Sequence, residues 1–137
     1  MGQIGKFFNK LTWFKKSAEP IETIFNGAPD AVIVINQKGN IVNWNLRAEM
    51  LFGWSKEEVS GKPLDEIVIP TRYRELHRKG MEHYLKTGKA AVLGKTIEIQ
   101  AINKEGLEFD VALSISPTVT KGQVVFIGFI QIGRAHV

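Results

Sequence analysis

The chain has 137 residues, long enough for one hydrophobic core and too short for most two-domain enzymes. It contains no cysteine, which excludes a disulfide scaffold, a thiolate metal site and a cysteine-linked chromophore. Its 44% hydrophobic content is that of an ordinary globular protein, and no apolar run reaches the ~20 residues that cross a bilayer as a helix.

The net charge of +4 is set by the leader. Lys6, Lys10, Lys15 and Lys16 are the only charged residues among the first 16, and setting them aside leaves 14 basic against 14 acidic side chains. A nucleic-acid-binding surface spreads Lys and Arg over the face that meets phosphate, so this neutral body argues against a nucleic-acid partner. Residues 1–20 are expected to form a basic amphipathic helix and a linker. Ile4, Phe7, Phe8, Leu11 and Phe14 share one face at three- and four-residue spacing, with lysines on the rest. Residues 1–16 are thus a candidate for an anionic membrane surface, for packing on the domain or for pairing with a second copy. Pro20 marks a boundary before the main domain, residues 21–131.

Ile21 to Asn26 reads as a short helical entry. The β-branched run Ala31-Val32-Ile33-Val34-Ile35 predicts a strand buried on both faces, and Ile41 to Trp44 its hairpin partner across the turn Asn36 to Asn40. Asn45 caps a helix through Phe52 that Gly53 closes. Ser55 and Glu58 form a capping box for the next helix, and Pro63 starts another turn. The longest helix begins at Pro70 or Thr71, runs to Thr87 and ends at Gly88. Three strands follow, Val92 to Ala101, Glu108 to Ser116 and Gln123 to Gln131, joined at Asn103–Gly106 and Pro117–Gly122. Residues 132–137 break the strand pattern and read as a translated sequencing adaptor, so they are set aside, with the natural chain expected to continue past Gln131. Strands at both ends with helices between predict an α+β fold: a five-stranded antiparallel sheet with helices on one face. A core enclosed between such layers often accommodates a small ligand.

With these elements placed, the chain resembles a PAS domain of the bacterial sensory type from about Ile21 to Gln131. The resemblance rests on Pro29-Asp30-Ala31, Ile41-Val42-Asn43-Trp44-Asn45 with Ala48-Glu49, and Leu51-Phe52-Gly53-Trp54-Ser55. It extends over Glu58, Gly61-Lys62, Ile69-Pro70, Asn103 to Phe109 and Gly128-Phe129. It implies a cytoplasmic regulatory module, not an enzyme, which senses ligand or redox state and forms a homodimer. Such a module passes a conformational change to a kinase, cyclase, phosphodiesterase or transcriptional output in cis. The family's last strand usually runs into an Asp-Ile-Thr motif, which here would begin at Ile132, so the output module is expected to have been lost by truncation.

On the long helix Tyr73, His77, Met81, Tyr84 and Leu85 follow at helical steps, with Gly80 on the same stripe. That arrangement turns His77 toward the core and His83 away, and a neutral imidazole facing an apolar space can ligate haem iron. Gly80 leaves room for a flat macrocycle. The resemblance sharpens this, because His77 falls where haem-binding PAS sensors place their proximal histidine, with similar spacing to Tyr84, Gly88 and Gly106. It implies haem b, with His77 as the candidate iron ligand. The family's distal arginine or methionine corresponds to Lys95 and Ile97, which share a strand face with Ile99. Ile97 donates no hydrogen bond, and Lys95 at a strand end is expected to reach solvent. An apolar distal side favours gas or redox sensing over stable, hydrogen-bonded oxygen binding. The alternative is a ligand-free interaction module with a filled core, in which His77 is an ordinary core histidine.

Other constellations are weaker. Trp44, Trp54 and Phe109 are expected to pack the core rather than hold flavin. Glu57, Glu58, Asp65 and Glu66 read as solvated helix-start residues. Ser114 and Ser116 lack a Ser-His-acid arrangement, and no phosphate-binding loop occurs.

Overall fold

The computed structural model describes residues 18–133. The leader helix expected over residues 1–16 lies outside the described residues, as do residues 134–137. Five strands, β1 (Ala31–Asn36), β2 (Ile41–Trp44), β3 (Thr96–Ile102), β4 (Glu108–Thr120) and β5 (Gln123–Ile132), form one antiparallel sheet in the order β2-β1-β5-β4-β3. The α+β expectation and the antiparallel arrangement are therefore met. β1 lies between β2 and β5, and Ala31, Val32, Ile33 and Ile35 are buried, as its unbroken β-branched run requires.

Among the described residues five helices join or precede the strands: α1 (Ala18–Gly27), α2 (Leu46–Phe52), α3 (Lys56–Val59), α4 (Leu64–Val68) and α5 (Thr71–Thr87). Their ends follow local chemistry. The Ser55 hydroxyl accepts from Glu58 N while the Glu58 carboxylate accepts from Ser55 N, completing the capping box. Gly53 closes α2 at φ 79° and Gly88 closes α5 at φ 71°, a region that costs glycine little.

Asn45 ties three elements together. It is fully buried, and its Oδ1 accepts from Val32 N at 2.9 Å and Ala48 N at 3.0 Å. Its Nδ2 donates to the carbonyls of Phe25 at 2.9 Å and Asp30 at 3.0 Å. One amide thus caps α2, holds the start of β1 and fastens the end of α1. Around it Trp44, Phe52 and Phe109 form a chain of tilted rings with centroids 5.5 and 5.8 Å apart. Trp44 Nε1 donates to Trp54 O at 3.0 Å, so these aromatics serve packing, as expected.

Several boundaries differ from the sequence reading. α1 starts at Ala18, before Pro20, because a proline in the first helical turn removes an N–H that has no intrahelical partner. β3 starts at Thr96 rather than Val92, since residues 91–94 form a turn with Gly94 at φ 76°. β4 continues through Pro117 to Thr120. β3 pairs no further than Ser114, and proline is tolerated where a strand edge lacks a partner. A tight turn at Lys121 (φ 52°) and Gly122 (φ 75°) then starts β5, which extends through Ile132, one residue into the excluded tail.

On the surface Lys104 Nζ sits 2.7 Å from Glu58 Oε2 and 5.0 Å from the centre of the Trp54 ring. The hydrogen bond from Lys104, helped by Ser55 N, lowers the Glu58 pKa to about 2 from an ordinary 4.5. A folded-state value below the unfolded one stabilises the fold above the unfolded value, and that contribution disappears as protons are added. Urea midpoints are therefore expected to fall between pH 4.5 and about 2, with a shallower fall in Lys104→Met; identical profiles for both proteins would refute this role for the pair.

Candidate functional site

The site is built by α5. Arg74, His77, Met81 and Tyr84 are its half-buried residues, at three- and four-residue steps. Tyr84 meets Phe126 of β5 edge-on at 5.2 Å between centroids, and Arg74 Nε donates to Ile69 O at 2.9 Å. His77 is thus turned inward as expected, while His83 is exposed. Met81 and Tyr84 share that side as expected, and three other members of the predicted stripe are corrected. Tyr73 is 39% exposed, Gly80 and Leu85 are exposed, and a Cβ added at Gly80 would touch nothing within 4 Å. At roughly 100° per residue the inward direction lies between His77 and Met81, which carries Tyr73 and Gly80 to one flank and Leu85 to the other.

No residue of this 17-residue helix is fully buried. The sheet beside it is correspondingly uncovered. Alternation along paired strands sets Ile97, Ile99 and Ala101 of β3 on the face that carries Val111, Leu113 and Ile115 of β4. Ala101 and Val111 are buried, but Ile97, Leu113 and Ile115 are only half-buried and Ile99 is 41% exposed. Lys95 is exposed, as its position at the strand end predicts. At its start α5 is held by Arg72. The guanidinium reaches both Glu108 oxygens at 2.6 and 2.8 Å and Gln100 Oε1 at 2.6 Å, across to β4 and β3.

Burial pushes the His77 imidazole below its ordinary value, against an opposing pull from the Asp65 carboxylate. The ring is therefore held neutral near neutral pH. Its Nδ1 is buried and has no hydrogen-bond partner. His77 also borders a cleft of about 260 Å³ between the β1–β2 turn, the start of α4 and α5. Pro63, Asp65, Arg78, Met81 and Leu85 contribute to its walls, and no residue of β3 does. Lys95, Ile97 and Ile99 are thus not brought to the same cleft as His77.

Asp65 departs most from the sequence reading. Expected to be solvated, its side chain is only 8% exposed, and Oδ2 accepts from Arg78 Nε at 2.7 Å. Its other oxygen has no partner. A carboxylate in the first turn of a helix usually faces water, and its partner here lies 13 residues away on another helix, so no local spacing announces the burial.

An inward, neutral imidazole is the kind of donor that axial haem ligation requires, so His77 itself fits that role, whereas the expected β3 wall lies outside the cleft His77 borders. His77 would hold the iron, with Met81 of the same cleft as its apolar neighbour. Among the described residues no cluster of three or more metal-ligating side chains occurs, and no helix is long and apolar enough to cross a membrane.

Such a domain, a five-stranded antiparallel sheet with helices and an inward histidine on the longest of them, belongs to the class of small α+β domains. The chain is a member of the PAS family: the family model "PAS fold" matches residues 19–132. It is 31% identical over 111 residues to the sensor protein FixL of Bradyrhizobium diazoefficiens, covering 81% of this chain and 22% of that protein. It is 29% identical over 99 residues to the oxygen sensor protein DosP of Escherichia coli, covering 72% of this chain and 12% of that protein. A relative from Azorhizobium caulinodans is 34% identical over 102 residues, 74% of this chain and 14% of that protein. The chain thus spans less than a quarter of the length of these curated relatives. Among solved structures, the PAS domain of an HTR-like protein from Haloarcula marismortui superposes with a TM-score of 0.70 at 15% identity, covering 91% of this chain and 98% of that one. That likeness concerns the fold.

Proposed function

We propose that this PAS domain is the sensory and dimerisation module of a bacterial signal-transduction protein, a histidine kinase or a cyclic-di-GMP enzyme, and that it senses gas or redox state through haem b. It is itself regulatory rather than catalytic, acts in the cytoplasm as a homodimer, and drives an output module in cis. Residues 1–16 supply the dimer contact or a peripheral membrane contact. The relationship to FixL and DosP supports the signalling part of this reading. The observation that carries the sensing part is His77, an inward imidazole held neutral by burial on a helix that leaves the apolar face of β3 and β4 uncovered.

Haem, when bound, supplies a redox-active iron able to take a diatomic gas. The chain's own part is to hold that iron through the His77 imidazole, with Met81 beside it on the same cleft. Movement of α5, tied to the sheet edge through Arg72, is the means by which occupancy reaches β3 and β4. Reconstitution with haem tests the proposal. The wild type is expected to show a Soret shift that His77→Ala abolishes. No shift, or an equal shift in both proteins, rules out His77 as the ligand and leaves the ligand-free interaction module as the reading.

A further inference from the structure

The sheet has a second face, turned away from the core, and its middle is also apolar. Ile33, Ile35 and Phe126 belong to the core, so strand alternation sends Val34 of β1, Val125, Ile127 and Phe129 of β5 and Ala112 of β4 to the opposite side. Val34 lies directly across from Ile127, with Val125 and Phe129 two residues to either side on the same face. Phe129 is exposed and the other four are half-buried. A connected apolar patch open to water marks an interaction surface.

The charge on this face is one-sided. Its charged positions are Glu98 of β3 and Glu108 and Asp110 of β4, and no lysine or arginine occupies an outward position on the five strands. Arg72 covers Glu108 at the edge, while Glu98 is exposed. Residues 1–16 carry the complementary set: Ile4, Phe7, Phe8, Leu11 and Phe14 on one expected helical side, and four lysines with no acid. The lengths agree as well. As a helix, Ile4 to Phe14 spans about 15 Å at about 1.5 Å per residue. From β1 across β5 and β4 to β3 is three strand spacings, about 14 Å. One such helix laid across the strands covers the apolar middle and reaches the acids beyond it.

We propose that this outer face receives residues 1–16 of a second copy, each leader lying across its partner's sheet. The proposal rests on the reading of the domain as a homodimer joined through residues 1–16 and adds the surface on which that segment lands. A second copy rather than the chain's own leader is favoured by α1, whose Ile21 and Ile24 are 71% and 73% exposed. A leader folded onto its own sheet leaves that side of α1 in water, whereas a two-fold partner can cover it together with the sheet face.

Sedimentation equilibrium on the full chain tests this. The wild type is expected to be a dimer. Phe129→Lys sets a cation where the basic leader lands and is expected to raise the dimer dissociation constant at least roughly 30-fold, the scale of losing an anchoring aromatic. Phe129 is exposed, so the fold should survive, which the melting temperature checks. Glu98→Lys, at another exposed position, is expected to weaken the dimer severalfold while leaving the apolar patch intact. Phe7→Glu combined with Leu11→Glu should dissociate the dimer from the leader's side. Each of the leader and Phe129 variants is then monomeric alone. Mixed, they are expected to form a heterodimer, because one supplies an intact face and the other an intact leader. No recovery on mixing overturns the proposal. So does a dimer lost in the leader variant but unchanged in Phe129→Lys and Glu98→Lys, which means that leaders pair with each other and leaves the homodimer reading in place. A monomeric wild type overturns the proposal and that reading together, and its binding to phosphatidylserine vesicles would then give the leader to the membrane.

Discussion

Replacing Asn45 with alanine should cost the domain at least about 3 kcal/mol, measured as the change in unfolding free energy from urea titrations, because each buried group left unpaired costs roughly 1–3 kcal/mol. Four groups lose their partner at once: the amides of Val32 and Ala48 and the carbonyls of Phe25 and Asp30. The helix cap alone accounts for about 1 kcal/mol. Asn45→Asp separates the contributions. It keeps the acceptor for Val32 and Ala48 but sets oxygen against the two carbonyls and brings a charge into a fully buried position. It is therefore expected to be no better tolerated than alanine. A loss under about 1 kcal/mol for Asn45→Ala would mean that water replaces the amide and that its buried network contributes little.

Phe52→Ala is the second substitution with a large expected effect, about 3–5 kcal/mol by the same measurement. Phe52 has no exposed surface, and its ring lies between those of Trp44 and Phe109. Its removal takes away transfer free energy and leaves a void that α2 cannot close, because Asn45 and Gly53 fix both ends of that short helix. Phe52→Leu keeps much of the volume and should cost far less. Equal losses for the two variants would point to backbone rearrangement rather than cavity formation.

Local chemistry made much of the fold legible. The Ser55–Glu58 box, the Gly53 and Gly88 terminations and the β-branched run of β1 depend on residues a few positions apart, and each formed where expected. Asn45 was legible only in part. Its bond to Ala48 follows from spacing, but its bonds to Phe25 and Asp30 depend on chain segments that meet only after the sheet assembles. The site was less legible for the same reason. Periodicity turned His77 inward but gave the helix axis only to within a flank, so Tyr73, Gly80 and Leu85 were assigned to the core and lie in solvent. Asp65 carried no local mark, since nothing within a helical turn of it differs from an ordinary solvated acid. Its burial became evident only with Arg78 beside it.

The pairing of β1 with β5 also has a mechanical consequence. Ala31 lies opposite Ile130, and Gln131 Nε2 donates to Asp30 Oδ1 at 2.7 Å, so the way into the first strand and the way out of the last are stitched at one corner. The Asn45 amide holds the end of α1 at that same corner. Rotation of either neighbouring segment therefore levers the other through a few short bonds, and torque has no need to cross the hydrophobic interior.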